Sequence, residues 1–169
     1  MKLRAHVTAV TFLLCISAGF LFAQSAKPAV LTAAELKQSV PSVYFFRGQS
    51  ATVQVRNAGG LRVGKDSLVL AALVDTSGYA QDVQQKYQGL FITEVKLNIG
   101  GNSLAPGEYG FGFNADGKFR VLDVAANDLL ATDLKSDDNL RRPVPLKLSE
   151  EGGEYRLYAG RKYVVIKVE

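Results

Sequence analysis

SLAPGEYGFGF, residues 103–113, sets three glycines and three aromatics within a short span. A phosphate-cradling loop needs its glycines at a turn that opens into a helix, with backbone N–H groups aimed at the anion. Here Tyr109, Phe111 and Phe113 alternate with Gly110 and Gly112, so an extended chain has one aromatic face and one bare face. The next residues, Asn114-Ala115-Asp116-Gly117, read as a four-residue hairpin loop leading into KFRVLDV. The stretch is therefore a strand followed by a strand. Its bare face predicts a coiled sheet or a bulky side chain from another element resting on the backbone.

Working outward, LFITEVKLNI (90–99) alternates cleanly and reads as one strand, with Phe91, Thr93, Val95, Leu97 and Ile99 on one side and Glu94, Lys96 and Asn98 on the other. SLVLAALVD (67–75) is continuously apolar, which fits a strand buried on both faces or a helix segment; the turn residues on both sides and the leading Leu-Val-Leu favour the strand. SVYFF (42–46), a turn at RGQS and ATVQVRN (51–57) follow the same rhythm, which Asn57-Ala58-Gly59-Gly60 breaks. In LTAAELKQSV, Thr32 and Glu35 have capping-box spacing ahead of a brief helix that Pro41 ends. TSGYAQDVQQKYQG (76–89) is polar apart from Tyr79, Val83 and Tyr87 at every fourth position, which predicts a surface helix over one end of the sheet. Residues 126–142 form an acidic excursion with a helical turn expected from Leu129 to Leu134. EYRLYAG and YVVIKVE close the series, joined through Gly160-Arg161-Lys162. The pattern predicts an all-β, minor-α fold: an antiparallel β-sandwich or small β-barrel of about 7–9 strands with one or two short helices.

At the N-terminus, Lys2 and Arg4 precede an apolar run from Val7 to Ala23 and then Gln24-Ser25-Ala26, the pattern of a secretory signal peptide, with cleavage after Ala23 preferred over the next few residues and over a retained membrane anchor. Cys15, with bulky Leu14 before it and further apolar residues after it, is expected to leave with the signal and not to carry a lipid. The expected organisation is a signal peptide at 1–23, a lead with a short helix at 24–40, and a single β domain at 41–169. A secreted or periplasmic location follows, with membrane contact only through the signal peptide before cleavage.

Cleavage removes the only Cys, the only His (His6) and the only Met, and the chain has no Trp. Disulfides, Cys and His nucleophiles, a Ser-His-Asp triad, His or Cys zinc sites and ordinary haem ligation are then excluded. Without Lys2 and Arg4, 18 cationic residues face 16 acidic ones, a net charge of +2. Dispersed charge of that size gives no reason to expect nucleic acid.

Four groups of residues are candidate sites. LVLAALVDTSG approaches the Asp-Thr-Gly strand end of aspartic proteases, but Ser77 separates Thr76 from Gly78 and no second copy exists, so Asp75 is expected to end a strand by bonding turn amides. Asp123, Asp128, Asp133 and Asp138 recur every five residues, with Asp137 and Asn139 beside the last. Calcium favours such oxygen-rich loops, although the spacing is not that of a calcium hand. Arg141, Arg142, Arg161 and Lys162 form a partner or anion surface if the loop near Pro143 and the final hairpin turn are neighbours. Most of the aromatic residues are expected to be core; if the fold is a barrel with a covered mouth, Tyr109, Phe111 and Phe113, with Tyr79 and Tyr87 covering it, are the candidates for an apolar ligand cavity. No catalytic residue, metal ligand or cofactor is assigned.

Leu104-Ala105-Pro106-Gly107-Glu108-Tyr109, together with Arg142-Pro143-Val144-Pro145-Leu146 and the stretch from Tyr155 to Tyr163, resembles uncharacterised secreted bacterial β-sandwich proteins that carry a leucine, proline-glycine, tyrosine hairpin. The resemblance covers most of residues 41–169 and implies the fold; it brings no catalytic residue to carry over. The expected function is non-catalytic binding in the envelope or outside the cell, by a small apolar ligand carrier or an interaction module for a protein or glycan. The alternatives are a carboxylate-dependent hydrolase, with Asp75 or the 123–138 aspartates as carriers, and a calcium-binding structural protein.

Overall fold

A computed structural model describes residues 27–169; the expected signal peptide lies outside the described residues. In chain order the elements are β1 (Ala29–Val30), α1 (Ala33–Ser39), β2 (Val43–Phe46), β3 (Gln49–Val63), β4 (Ser67–Val74), α2 (Gln81–Gln84), β5 (Gly89–Thr93), β6 (Leu97–Ile99) and β7 (Asn102–Leu104). They continue with β8 (Gly107–Phe113), β9 (Lys118–Leu122), β10 (Asp128–Asp133), β11 (Lys135–Ser136), β12 (Lys147–Glu151), β13 (Glu154–Ala159) and β14 (Lys162–Val168). Two antiparallel sheets form a sandwich. The larger runs β1-β3-β4-β5-β8-β9-β10 with β2 added to β3, and the smaller runs β12-β13-β14-β6-β7 with β11 added to β14.

The larger sheet is buried on both faces. Between the sheets lie Phe91, Phe111, Phe119, Leu97, Ile99, Leu157 and Ile166. Behind it, α1, β2 and the 79–87 segment cover a second core of Leu36, Val40, Tyr44, Phe46, Tyr79, Val83 and Tyr87. That arrangement explains the apolar run of β4: Val69 and Ala71 face one core while Leu70 and Ala72 face the other.

The opening stretch is a strand, β8, paired with β5 and β9. Its bare face is occupied as the glycines require. A Cβ on Gly110 would sit 2.5 Å from the Phe46 ring, and one on Gly112 would sit 2.2 Å from the Lys86 carbonyl oxygen. Phe46 in turn stacks on Tyr87 with ring centroids 3.9 Å apart. The capping box also forms, with Glu35 N donating to the Thr32 hydroxyl at 3.3 Å and Thr32 N donating to the Glu35 carboxylate at 2.8 Å.

The structure differs from the sequence reading in several places, among them the 76–89 stretch, whose helix is only Gln81–Gln84 and lies behind the larger sheet instead of over its end. Residues 90–99 are two strands: β5 ends at Thr93 in the larger sheet, and β6 begins at Leu97 in the smaller one. Alternation survives the crossing because both pieces point apolar side chains into the same inter-sheet core. Thr93 secures the corner by donating its hydroxyl to the Val95 carbonyl at 2.6 Å. Residues 57–60 do not break the strand, because β3 runs through them to Val63. A Cβ on Gly59 would lie 2.4 Å from the Leu148 backbone nitrogen, so this glycine admits β12 against β3. Finally, Leu129 to Leu134 is no helical turn: β10 pairs with β9 across an irregularity between Asp128 and Leu130. The acidic composition hid a strand whose Leu130 alone is buried.

Strands are also more numerous than the turn signals imply, since short pieces such as β1, β7 and β11 lack a periodic signature of their own.

Candidate interaction surface

The two basic segments of the C-terminal third are brought together. β11 pairs with the start of β14, Asp137 N donates to the Arg161 carbonyl at 2.9 Å, and Gly160 N donates to the Val144 carbonyl at 2.9 Å. Gly160 has φ +61°, a left-handed conformation that glycine adopts without strain. The loop is held within itself by Asn139 N donating to the Asp137 carboxylate at 3.1 Å and Leu140 N to the Asp137 carbonyl at 3.3 Å.

Arg141, Arg142, Arg161 and Lys162 are all exposed on this tip, and none has an ion-pair partner among the described residues. Lys135, paired opposite Tyr163 in the ladder and also exposed, joins them. The sequence reading missed Lys135 because it placed that residue inside the acidic excursion. Val144, 40% exposed, stands between Pro143 and Pro145 and supplies an apolar centre.

Beneath the tip, the outer face of the smaller sheet is braced by a phenol and its charged neighbours. The buried Tyr158 hydroxyl lies 2.9 Å from a Glu151 carboxylate oxygen and 3.2 Å from one of Asp137, tying the loop to β12 and β13. Lys147 sits 4.6 Å over the Tyr158 ring and Arg156 4.8 Å over the Tyr163 ring. Burial pushes the Tyr158 phenol up to about 12. Burial also pushes Glu151 upward, but hydrogen bonds from Tyr158 and Ser149 and the Lys147 charge leave its carboxyl below the usual range. These groups are spent on one another and hold the tip in place.

The aromatic candidates do not converge on one cavity. Phe111 is fully buried between the sheets, with Phe119 stacked at 5.9 Å and Phe113 edge-on at 6.1 Å, and Tyr109 packs on the same core. Tyr79 and Tyr87 lie in the second core, on the opposite face of the larger sheet. Phe111 thus meets close packing instead of open space.

The carboxylate candidates are dispersed as well. Asp75 accepts from Ser77 N at 3.0 Å just beyond the end of β4, and this bond holds its carboxyl below the usual range. Asp123 closes its own turn by accepting from Ala125 N and Asn127 N, each at 2.9 Å. Asp128 pairs with Lys86 and Arg120, Asp133 with Lys118, and Asp138 accepts from Ser136. Among the described residues no three acidic side chains converge to hold a metal ion.

No family model, curated protein or solved structure matches this chain.

Proposed function

We propose that the protein is an exported bacterial β-sandwich that works by binding, and that its basic tip docks on an acidic face of an envelope protein. The observation that carries this reading is the pair of backbone bonds, Asp137 N to Arg161 O and Gly160 N to Val144 O, which brings the segments bearing these exposed cations and Val144 side by side. An apolar centre rimmed by arginine is the composition that protein interfaces favour. Dispersed carboxylates and a mature chain without Cys or His support binding over catalysis.

The test is a photo-crosslinker at Lys162, compared with one at Lys65 in the β3–β4 turn, in living cells. The expected result is one protein adduct from Lys162, absent from Lys65, lost in Arg141→Glu/Arg161→Glu and weakened by salt, which screens exposed charge within about 10 Å at 0.1 M. Equal labelling from both positions, or an adduct that survives charge reversal, overturns the reading. An adduct removed by glycosidase but not by protease assigns the tip to a glycan.

A further inference from the structure

A second feature lies where β3 leaves the regular ladder. Gln54 pairs with Leu73 and Ala58 with Ala72, so Val55, Arg56 and Asn57 of β3 stand between two adjacent residues of β4. Asn57 Nδ2 donates to Gln54 Oε1 at 2.8 Å and braces the bulge. A bulge of this kind bends its strand away from the sheet. It leaves Val55 and Ala58 half covered, while Leu36 and Val40 of the α1 segment form the facing wall.

The resulting groove has a volume of about 630 Å³, within the range of about 300–1,000 Å³ usual for small-molecule sites. Its charge is one-sided: Lys37 and Arg56 line it, and among the described residues no carboxylate does. The acid nearest in sequence, Glu35, is committed to Thr32 and to Arg62 at 3.0 Å. Both Lys37 and Arg56 are exposed and without an ion-pair partner among the described residues. A larger groove of about 770 Å³ beside Arg120 differs here, because Arg120 is paired with Asp116 and Asp128, and Lys86 with Asp128.

An apolar floor with two uncompensated cations at its rim is complementary to an aliphatic chain bearing an anionic head. Arginine receives a carboxylate through two parallel hydrogen bonds. We propose that this groove binds a single-chain fatty carboxylate, its tail along Leu36, Val40 and Val55 and its head between Lys37 and Arg56. The site is separate from the tip and stands independently of the docking reading.

The experiment is isothermal titration of the mature protein with dodecanoate and with dodecanol, both below their aggregation limits. Dodecanoate binds at one saturable site. Lys37→Glu/Arg56→Glu weakens dodecanoate about tenfold or more, the effect of reversing two exposed charges, and leaves dodecanol unchanged. Ser42→Trp, at an exposed position lining the groove, removes both ligands without altering circular dichroism or melting temperature. Arg141→Glu/Arg161→Glu leaves dodecanoate binding intact. No saturable binding to the wild-type protein, retention of affinity in both groove variants, or loss of affinity in the tip variant each overturns the proposal.

Discussion

The two cores on either side of the larger sheet are built to different rules. Between the sheets, Phe91, Phe111 and Phe119 pack with aliphatic residues, and the buried hydroxyls there are met, Thr93 donating to the Val95 carbonyl and Tyr155 to the Pro28 carbonyl. Behind the sheet, Tyr44, Tyr79 and Tyr87 gather around Phe46. Tyr79 donates toward the carbonyls of Phe46 and Gln49 at 3.1 and 3.2 Å, but the buried hydroxyls of Tyr44 and Tyr87 have no partner among the described residues. Burial pushes both of those phenols well above their ordinary range. The inter-sheet core therefore decides whether the sandwich forms. The rear core joins α1 and the β2–β3 hairpin to it, with phenol hydroxyls set among its apolar side chains.

The largest effect is expected from Phe111→Ala. Its ring lies over Gly89, where an added Cβ would come within 2.6 Å of it, and it touches the aromatic centre of the inter-sheet core. A loss of about 3–5 kcal/mol in urea unfolding is expected. A smaller loss would mean that the two cores share the load more evenly.

Gly110→Ala tests the join from the other face of the same strand. The new methyl strikes the stacked Phe46 and Tyr87 rings, both fully buried, so overpacking of about 1–3 kcal/mol is expected. Unchanged stability in the same unfolding assay would show that the rear rings move freely and that this core is loosely held.

The three tyrosines sharpen the contrast. Tyr79→Phe should cost about 1 kcal/mol by stripping the Phe46 and Gln49 carbonyls of their donor, whereas Tyr44→Phe and Tyr87→Phe should be neutral or stabilising by up to about 1 kcal/mol. Thermal melts of the three variants check the ordering. Destabilisation by all three to the same extent would erase the distinction drawn between their hydroxyls.

The smallest effect concerns the edge of the rear core. Hydrogen bonds from the Thr32 backbone and side chain, and then the Arg62 guanidinium, lower the Glu35 carboxyl to about 2 from the ordinary 4.5. A depressed folded-state value means that the cap contributes in full above pH 4.5 and fades as the pH falls toward 2. Carbon-detected NMR titration should place the Glu35 midpoint near 2, and Thr32→Ala should raise it.

The local half of this fold was legible from sequence. The period-two aromatics of β8, the 114–117 loop and the Thr32–Glu35 spacing each encode geometry within a few residues. Tertiary placement was not encoded in that way. Leu97 and Ile99 continue the alternation of Phe91 and Thr93 although they belong to a different sheet, because alternation reports the core a strand faces and not its neighbour. The bulge at 55–57 leaves no mark in Val-Arg-Asn, and Leu130 is a lone buried residue among polar ones. For the tip, the clustered arginines were visible, but their meeting depended on Asp137–Arg161 and Gly160–Val144 bonds between backbones, which no side-chain pattern announces.

The place of β14 bears on when the molecule can assemble. It follows all the other strands in chain order yet lies between β13 on one side and β6 with β11 on the other. Until residues 162–168 have emerged, β6–β7 and β12–β13 remain separate hairpins, and isolated hairpins are marginal in water. The inter-sheet core thus closes late, through contacts distant in sequence, which slows folding. Such a delay keeps the chain threadable for longer, which suits the export proposed for it.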